Sequence, residues 1–102
     1  MFVVTNRVPV AKEWWERFEE RFRNRAGQVE KQVGFLSMEI LRPVSPDTPY
    51  VVRTVWEDHA AFEAWIRSDD FQAAHRNPLP KEAYAGQGGL EQHEIVIQAR
   101  RP

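Results

Sequence analysis

The chain has 102 residues, a formal net charge of −1, 42% hydrophobic and 28% charged residues, and no cysteine. We expect one globular domain over residues 1–102, without disulfides, thiolate metal ligands or a basic footprint for nucleic acid. No stretch approaches the roughly 20 apolar residues of a membrane helix, and no secretion signal is visible, so we expect a cytoplasmic protein without a membrane partner.

The first half of the chain predicts a strand and then a helix. Residues 1–8 are rich in β-branched and aromatic side chains and predict a strand that Pro9 ends. Its alternation puts four side chains on one face: Phe2, Val4, Asn6 and Val8. Residues 11–31 predict a helix before Gly34, because apolar positions recur every three or four residues: Ala11, Trp15, Phe18, Phe22, Ala26 and Val29.

Residues 35–41 and 50–56 predict two further strands, joined by a turn-rich link with three prolines. Asp58 predicts the N-cap of a helix carrying Phe62, Trp65 and Ile66 on one face. Ser68, followed by two acids, predicts a second cap, so the helix breaks and restarts until the Asn77-Pro78 pair stops it. Residues 79–90, which hold three glycines and lack an apolar period, predict a mobile loop.

A fourth strand is predicted over residues 91–99, built on Ile95, Val96 and Ile97. The resulting order, βαββαβ, is typical of an α+β, ferredoxin-like fold with an antiparallel sheet and helices on one face. The strands also place apolar residues on both faces, for example Leu36, Met38 and Ile40 against Phe35 and Leu41. The second face needs a cover, so we expect a homodimer whose sheets pack together.

His75 is the first candidate functional residue, because it shares a predicted helical face with Phe71 and Ala74 and should point toward protein. A neutral imidazole beside a cavity is a good axial ligand for heme iron, whereas a core histidine or a helix C-cap is the structural alternative. Asn6 interrupts an apolar face, where its amide could donate to a metal-bound ligand or tie down the strand end.

Trp65 lies on the apolar face of its helix, where most tryptophans are core residues. Arg21 and Arg25 flank Phe22 and could hold carboxylates, although such arginines more often pair in solvent with neighbours such as Glu20. Taken singly, all these residues favour structural roles. The chain carries no nucleophile-elbow, phosphate-loop, zinc-helix or paired-carboxylate motif.

Several motifs together resemble the IsdG-type heme-degrading monooxygenases, in the wider group of antibiotic-biosynthesis-monooxygenase-like domains. The resemblance spans roughly residues 2 to 98 and is weakest over residues 79–90. It is carried by Asn6-Arg7-Val8, Gly34-Phe35-Leu36, Leu41-Arg42-Pro43, Thr54-Val55-Trp56, Phe62-Glu63-Ala64-Trp65 and the run from Ser68 to Arg76.

The resemblance implies a dimeric α+β barrel and a catalytic triad of Asn6, Trp65 and His75. In that family the histidine ligates the heme iron, the asparagine hydrogen-bonds on the distal side, and the tryptophan presses on the porphyrin and ruffles it. Phe22 matches an aromatic of the heme pocket, and Arg21 or Arg25 is expected to reach a propionate. Heme is then both cofactor and substrate, cleaved with O2 and electrons from a separate reductase, with release of iron.

Two other functions stay open on the sequence. One is a cofactor-free monooxygenase acting on an aromatic polyketide or quinol, which would use the cavity and Asn6 but would not need His75. The other is a heme carrier or sensor that binds through His75 without turnover.

Overall fold

A computed structural model describes residues 1–25 and 27–102, and its strands form one antiparallel sheet in the order β2–β3–β1–β4. The strands are β1 (Phe2–Val8), β2 (Phe35–Leu41), β3 (Tyr50–Trp56) and β4 (Gly89–Glu94). The helices are α1 (Trp15–Arg23), α2 (His59–Ile66) and α3 (Asp69–Ala74). The ferredoxin-like topology and the bounds of β2 and β3 confirm the predictions. In the part described, no helix is both long and apolar enough to cross a bilayer.

Helix α1 is much shorter than the predicted helix over residues 11–31. Ala11 is extended, a 3-10 turn precedes Trp15, and Asn24 ends the helix by donating from its backbone N–H to the Glu20 carbonyl at 3.0 Å. Gly27 has φ +74°, a left-handed conformation that cannot continue a right-handed helix. Val29 is buried from a separate 3-10 turn, while Ala26 lies outside the described residues.

The predicted break between the second and third helices is confirmed. Asp58 caps α2 by accepting from the Ala61 N–H at 2.8 Å. Ser68 caps α3 by accepting from the Phe71 N–H at 3.1 Å and donates to the Trp65 carbonyl at 2.6 Å. Ser68 therefore ends one helix and starts the next, because one hydroxyl satisfies backbone groups of both.

The segment 79–90 is better anchored than the prediction of a mobile loop assumed. Val10 and Tyr84 form an antiparallel bridge, and the Ala11 N–H donates to the Ala83 carbonyl at 2.7 Å. Ala83 is fully buried, and Leu79 packs against the core. Single buried side chains and backbone hydrogen bonds therefore anchor this segment in place of an apolar period, and its mobility stays a prediction.

Strand β4 begins and ends earlier than the predicted strand over residues 91–99. Phe2 pairs with Glu94, and the Ile95 N–H donates to the Met1 carbonyl at 2.8 Å. Because β1 begins at Phe2, β4 has no backbone partner on that edge farther along. Val96 and Ile97 are consequently 84% and 88% exposed instead of forming the centre of the strand.

The two faces of β2 also differ from the prediction. A register irregularity between Phe35 and Ser37 places Phe35 opposite Trp56, so Phe35 packs on the helix side with Met38 instead of on the second face. Leu36 falls at this irregularity, and Leu41, like Leu36, is 44% exposed. The rest of the second face mixes buried valines with charged side chains, including a 2.6 Å ion pair between Arg53 and Glu39.

Candidate functional site

Two hydrophobic clusters lie between the helices and the sheet. The α2 cluster is built on Phe2, Val4, Val29, Trp56, Phe62 and Trp65, and the α1 cluster is built on Val10, Phe18 and Tyr50. The α2 cluster includes residues from the beginning of β1, whereas the α1 cluster includes residues at and after its end. Asn6 lies between them on the helix side.

Asn6 is exposed although it belongs to a central strand and faces the helices. Its partners across the sheet are Val52 on β3 and Leu90 on β4, and Val52 is followed by Ile40 on β2. Directly opposed residues share a face, so the exposed Asn6 and Leu90 open on the helix side beside Val52 and Ile40, which pack against the α1 cluster. We call this opening the central cleft; its floor is apolar except for one amide.

His75 lies just past the end of α3 and is exposed, so the prediction that it points into protein is wrong. The reason is that α3 ends at Ala74, which makes His75 the C-cap residue instead of a residue on the helix face. Its ring packs on Phe71 with centroids 4.1 Å apart. The structural alternative of a C-cap is thus correct for its backbone.

The hydrogen bond of the His75 ring fixes which nitrogen is free. Nδ1 lies 2.8 Å from the Phe71 carbonyl oxygen. Because a carbonyl can only accept, the bond selects the Nδ1–H tautomer of the neutral ring, in which Nε2 holds the lone pair. A histidine held by such a bond is the usual form of a metal-ligating imidazole. A single imidazole suits a metal whose other ligands come from a macrocycle.

Trp65 is 7% exposed and belongs to the α2 cluster. Its ring stacks on Trp56 at 6.4 Å and meets Phe71 edge-on at 5.5 Å. Phe71 in turn contacts His75, so an aromatic series runs from the core to the exposed imidazole. Trp65 is therefore a core residue that stands one side chain away from His75, and Asn6 lies on the separate floor of the cleft.

Arg21, Phe22 and Arg25 lie at the last turn of α1 and just beyond it. The Arg21 guanidinium donates to the Asn77 carbonyl, which joins α1 to the segment after α3. Arg25 pairs with Glu30 at 2.5 Å and donates to the Phe22 carbonyl at 3.3 Å. The Phe22 ring is half-buried against Phe18, at 5.2 Å between centroids.

Sequence reasoning missed a polar cluster beside the α1 cluster. Glu19 accepts two hydrogen bonds from Arg42, at 2.6 Å each, one from Arg23 at 3.0 Å and one from the Tyr50 hydroxyl. The hydrogen bonds from Arg42, then Tyr50, hold the pKa of Glu19 at about 2. Burial, followed by the bond to Glu19, raises the pKa of Tyr50 to about 12. No local pattern could reveal Arg42 and Tyr50 as partners, since they are 23 and 31 residues from Glu19.

A cavity of about 440 Å³ adjoins this cluster, between α1 and β2. It shares Ile40 with the floor of the central cleft, and Asn6, Trp65 and His75 are not among its lining residues, which are Glu19, Phe22, Arg23, Arg25, Met38, Ile40, Arg42 and Tyr50. Together, the cleft and cavity offer an apolar floor, one amide and several guanidinium groups, and the exposed His75 imidazole lies outside the cavity lining. Such a set suits a flat apolar ligand that carries a metal and carboxylates.

Comparisons with known proteins agree with this chemistry. A profile of the antibiotic biosynthesis monooxygenase family matches residues 1–77. The staphylobilin-producing heme oxygenase of Staphylococcus haemolyticus is 39% identical over 79 residues, which cover 76% of this chain and 75% of that protein. The mycobilin-producing heme oxygenase of Mycobacterium tuberculosis is also 39% identical over 79 residues, covering 78% of this chain and 73% of that protein.

Among solved structures, the heme-degrader MhuD from Mycobacterium tuberculosis, with two hemes bound in its active site, superposes with a TM-score of 0.81. The identity is 33%, and the superposition covers 98% of this chain and 100% of that one. The likeness therefore includes the strands and helices that surround the central cleft.

Proposed function

This chain belongs to the antibiotic biosynthesis monooxygenase family, in its IsdG-type heme-degrading branch, and from that premise we propose that it binds heme in the central cleft and opens the porphyrin oxidatively. Heme is the substrate as well as the source of the reactive iron, O2 is the oxidant, and a separate reductase supplies electrons. Iron is released with the opened tetrapyrrole. The observation that carries the proposal is the exposed His75 ring, whose Nδ1 is bonded to Phe71 so that Nε2 is free.

His75 is the proposed iron ligand. The Phe71 carbonyl accepts from Nδ1–H at 2.8 Å, which orients the ring and makes Nε2 a better donor to the metal. Exposure suits this role, because a ligand as large as heme must reach Nε2 from solvent.

Asn6 and Trp65 are the proposed partners of His75 in catalysis. The exposed Asn6 amide, on the floor of the cleft, is to hydrogen-bond on the side of the porphyrin opposite His75. Trp65 is only 7% exposed, and Trp56 and Phe71 hold its ring, so it is proposed to press on the porphyrin as a rigid edge of the α2 cluster. Neither residue needs to change charge in these roles.

Phe22 and the neighbouring arginines are the proposed contacts for the edge of the porphyrin. Phe22 offers an apolar surface, while Arg21 and Arg25 are to bind the propionates. Arg21 is the freer cation, because its partner is the neutral Asn77 carbonyl, whereas Arg25 already pairs with the Glu30 carboxylate. A propionate therefore competes more easily for Arg21.

We also propose that two copies of the chain pack sheet to sheet, as a dimeric α+β barrel in the cytoplasm. Leu36 and Leu41 are 44% exposed, and Val96 and Ile97 extend past the sheet almost fully exposed. A second copy is the simplest cover for these apolar residues, and it should bury more than roughly 1,000 Å² in total.

Aerobic turnover of heme tests the function. The purified protein is titrated with heme, given ascorbate or a reductase in air, and followed by the Soret band, by iron capture and by mass spectrometry of the pigment. We expect a shifted Soret band that bleaches as iron appears, and its loss in His75→Ala. A Soret band that never shifts would favour the cofactor-free monooxygenase, and a shifted band that never bleaches would favour a heme carrier or sensor.

A further inference from the structure

The segment that carries His75 is exposed and is anchored to the core only by the residues on either side of it. Phe71 packs against the α2 cluster and Leu79 packs against the α1 cluster. All residues between them, 72–78, are exposed. The position of the His75 imidazole therefore depends on what else holds this segment.

Arg21 holds this segment in place through a hydrogen bond. Its guanidinium leaves the last turns of α1 and donates to the Asn77 carbonyl, two residues beyond His75. The helix end itself is weakly closed: the His75 N–H donates to the Phe71 and Gln72 carbonyls at 3.2 Å, and the Arg76 N–H to the Ala73 carbonyl at 3.4 Å. These two amides will report any opening of the segment.

We propose that Arg21 is a positioning residue that exchanges partners when the porphyrin binds. Without ligand it holds the segment 72–78 through Asn77, and with ligand it binds a porphyrin carboxylate and frees the segment, so that His75 can adjust to the iron. This inference rests on the proposed function, which supplies the porphyrin, and it adds a link between carboxylate recognition and the mobility of the iron ligand.

Arg21 should prefer the porphyrin carboxylate to Asn77 because the two groups differ as hydrogen-bond acceptors. The Asn77 carbonyl is neutral and exposed, so water replaces Arg21 there at little cost. An ionised carboxylate offers a charged acceptor and can take two parallel bonds from one guanidinium, which are about twice as strong as bonds to a neutral group. A porphyrin without free carboxylates can fill the apolar cleft but cannot draw Arg21 away.

Hydrogen–deuterium exchange at the His75 and Arg76 amides tests whether Arg21 leaves Asn77 for the porphyrin carboxylate. The probes are metal-free protoporphyrin IX, which cannot coordinate His75, and its dimethyl ester, which covers the same surface without carboxylate charge. In the wild type we expect the diacid to raise exchange at these amides at least about five-fold over the ester. Arg21→Gln should show that raised exchange without ligand, and Arg17→Gln, on the same helix, should not.

The proposal would be overturned if the His75 and Arg76 amides of the wild type exchanged hydrogen equally fast with the diacid and with the ester. It would also be overturned if these amides in ligand-free Arg21→Gln exchanged within about two-fold of the wild-type rate. If Arg21→Gln does not fold by circular dichroism, the two porphyrins on the wild type still decide. A diacid that binds without changing exchange overturns this inference alone, whereas failure of heme to shift its Soret band in the wild type counts against the proposed function.

Discussion

At the scale of single residues, one hydrogen bond makes His75 compatible with its proposed role as iron ligand, which burial alone would not indicate. Its backbone ends α3 as a cap, and its ring is exposed, yet the Phe71 carbonyl fixes the tautomer with Nε2 free. A structural role for the backbone and a ligand role for the ring are therefore compatible.

The proposed division of labour between His75 and Asn6 can be measured. His75→Ala should weaken heme binding and abolish turnover together, because the iron bond is lost. Asn6→Ala should bind heme within a few-fold of wild type and degrade it far more slowly, since a contact made late in a reaction lowers turnover more than ground-state affinity. Full turnover in Asn6→Ala would remove Asn6 from the mechanism. Heme titration and single-turnover bleaching give the two quantities.

Glu19 should make stability depend on acid pH. Its pKa in the folded protein is about 2, below the ordinary 4.5, so its contribution is complete above 4.5 and is lost as the pH falls toward 2. In urea unfolding, the free energy of unfolding should decrease less between pH 6 and pH 3 in Glu19→Gln than in wild type. Glu20→Gln, at an exposed neighbouring position, is the control, and identical slopes for Glu19→Gln and wild type would contradict the prediction.

At the scale of secondary-structure elements, contacts between elements fix where each one begins and ends. Gly34 precedes β2 with φ +84°, and a Cβ at this position would stand 2.5 Å from the Ala61 Cβ on α2. Its carbonyl also accepts from the Glu57 N–H at 2.8 Å, which ties the start of β2 to the end of β3. The chain can enter the sheet here only where a residue has no side chain.

Gly34→Ala should therefore destabilise the fold by about 1 to 3 kcal/mol, from steric overlap and from an unfavourable backbone conformation. Gly86→Ala is the matched control, because its Cβ would come no closer than 3.8 Å to Pro9. Chemical denaturation of both variants measures the difference. A Gly34→Ala protein as stable as Gly86→Ala would mean that α2 shifts at no cost.

At the scale of the whole molecule, the proposed dimer depends on apolar residues that one copy leaves uncovered. Light scattering at micromolar concentrations should give twice the chain mass. Val96→Asp combined with Ile97→Asp should shift the mass toward one chain, because both side chains are more than 80% exposed in a single copy and would become buried. Val33→Asp, at a position 91% exposed before β2, should leave the mass unchanged. A wild type that stays monomeric across this range contradicts the proposal.

The sequence by itself determined the order of elements, the bounds of β2 and β3, and the break at Ser68. These features depend on the spacing of apolar residues and on helix capping, both of which involve residues close together in the sequence. The joint presence of Asn6, Trp65 and His75, with the surrounding motifs, also sufficed to indicate the family. Local pattern did not set the ends of α1 and β4, because α1 is already capped at Asn24 and the start of β1 limits β4.

Only the tertiary structure decided the environment of each candidate residue. Trp65 is in the core, His75 is in solvent and Asn6 is exposed on the sheet, although the resemblance gives all three as one triad. The cluster of Glu19, Arg42 and Tyr50 likewise joins groups more than 20 residues apart. Such contacts depend on how the helices cross the sheet, and chain spacing alone does not specify that geometry.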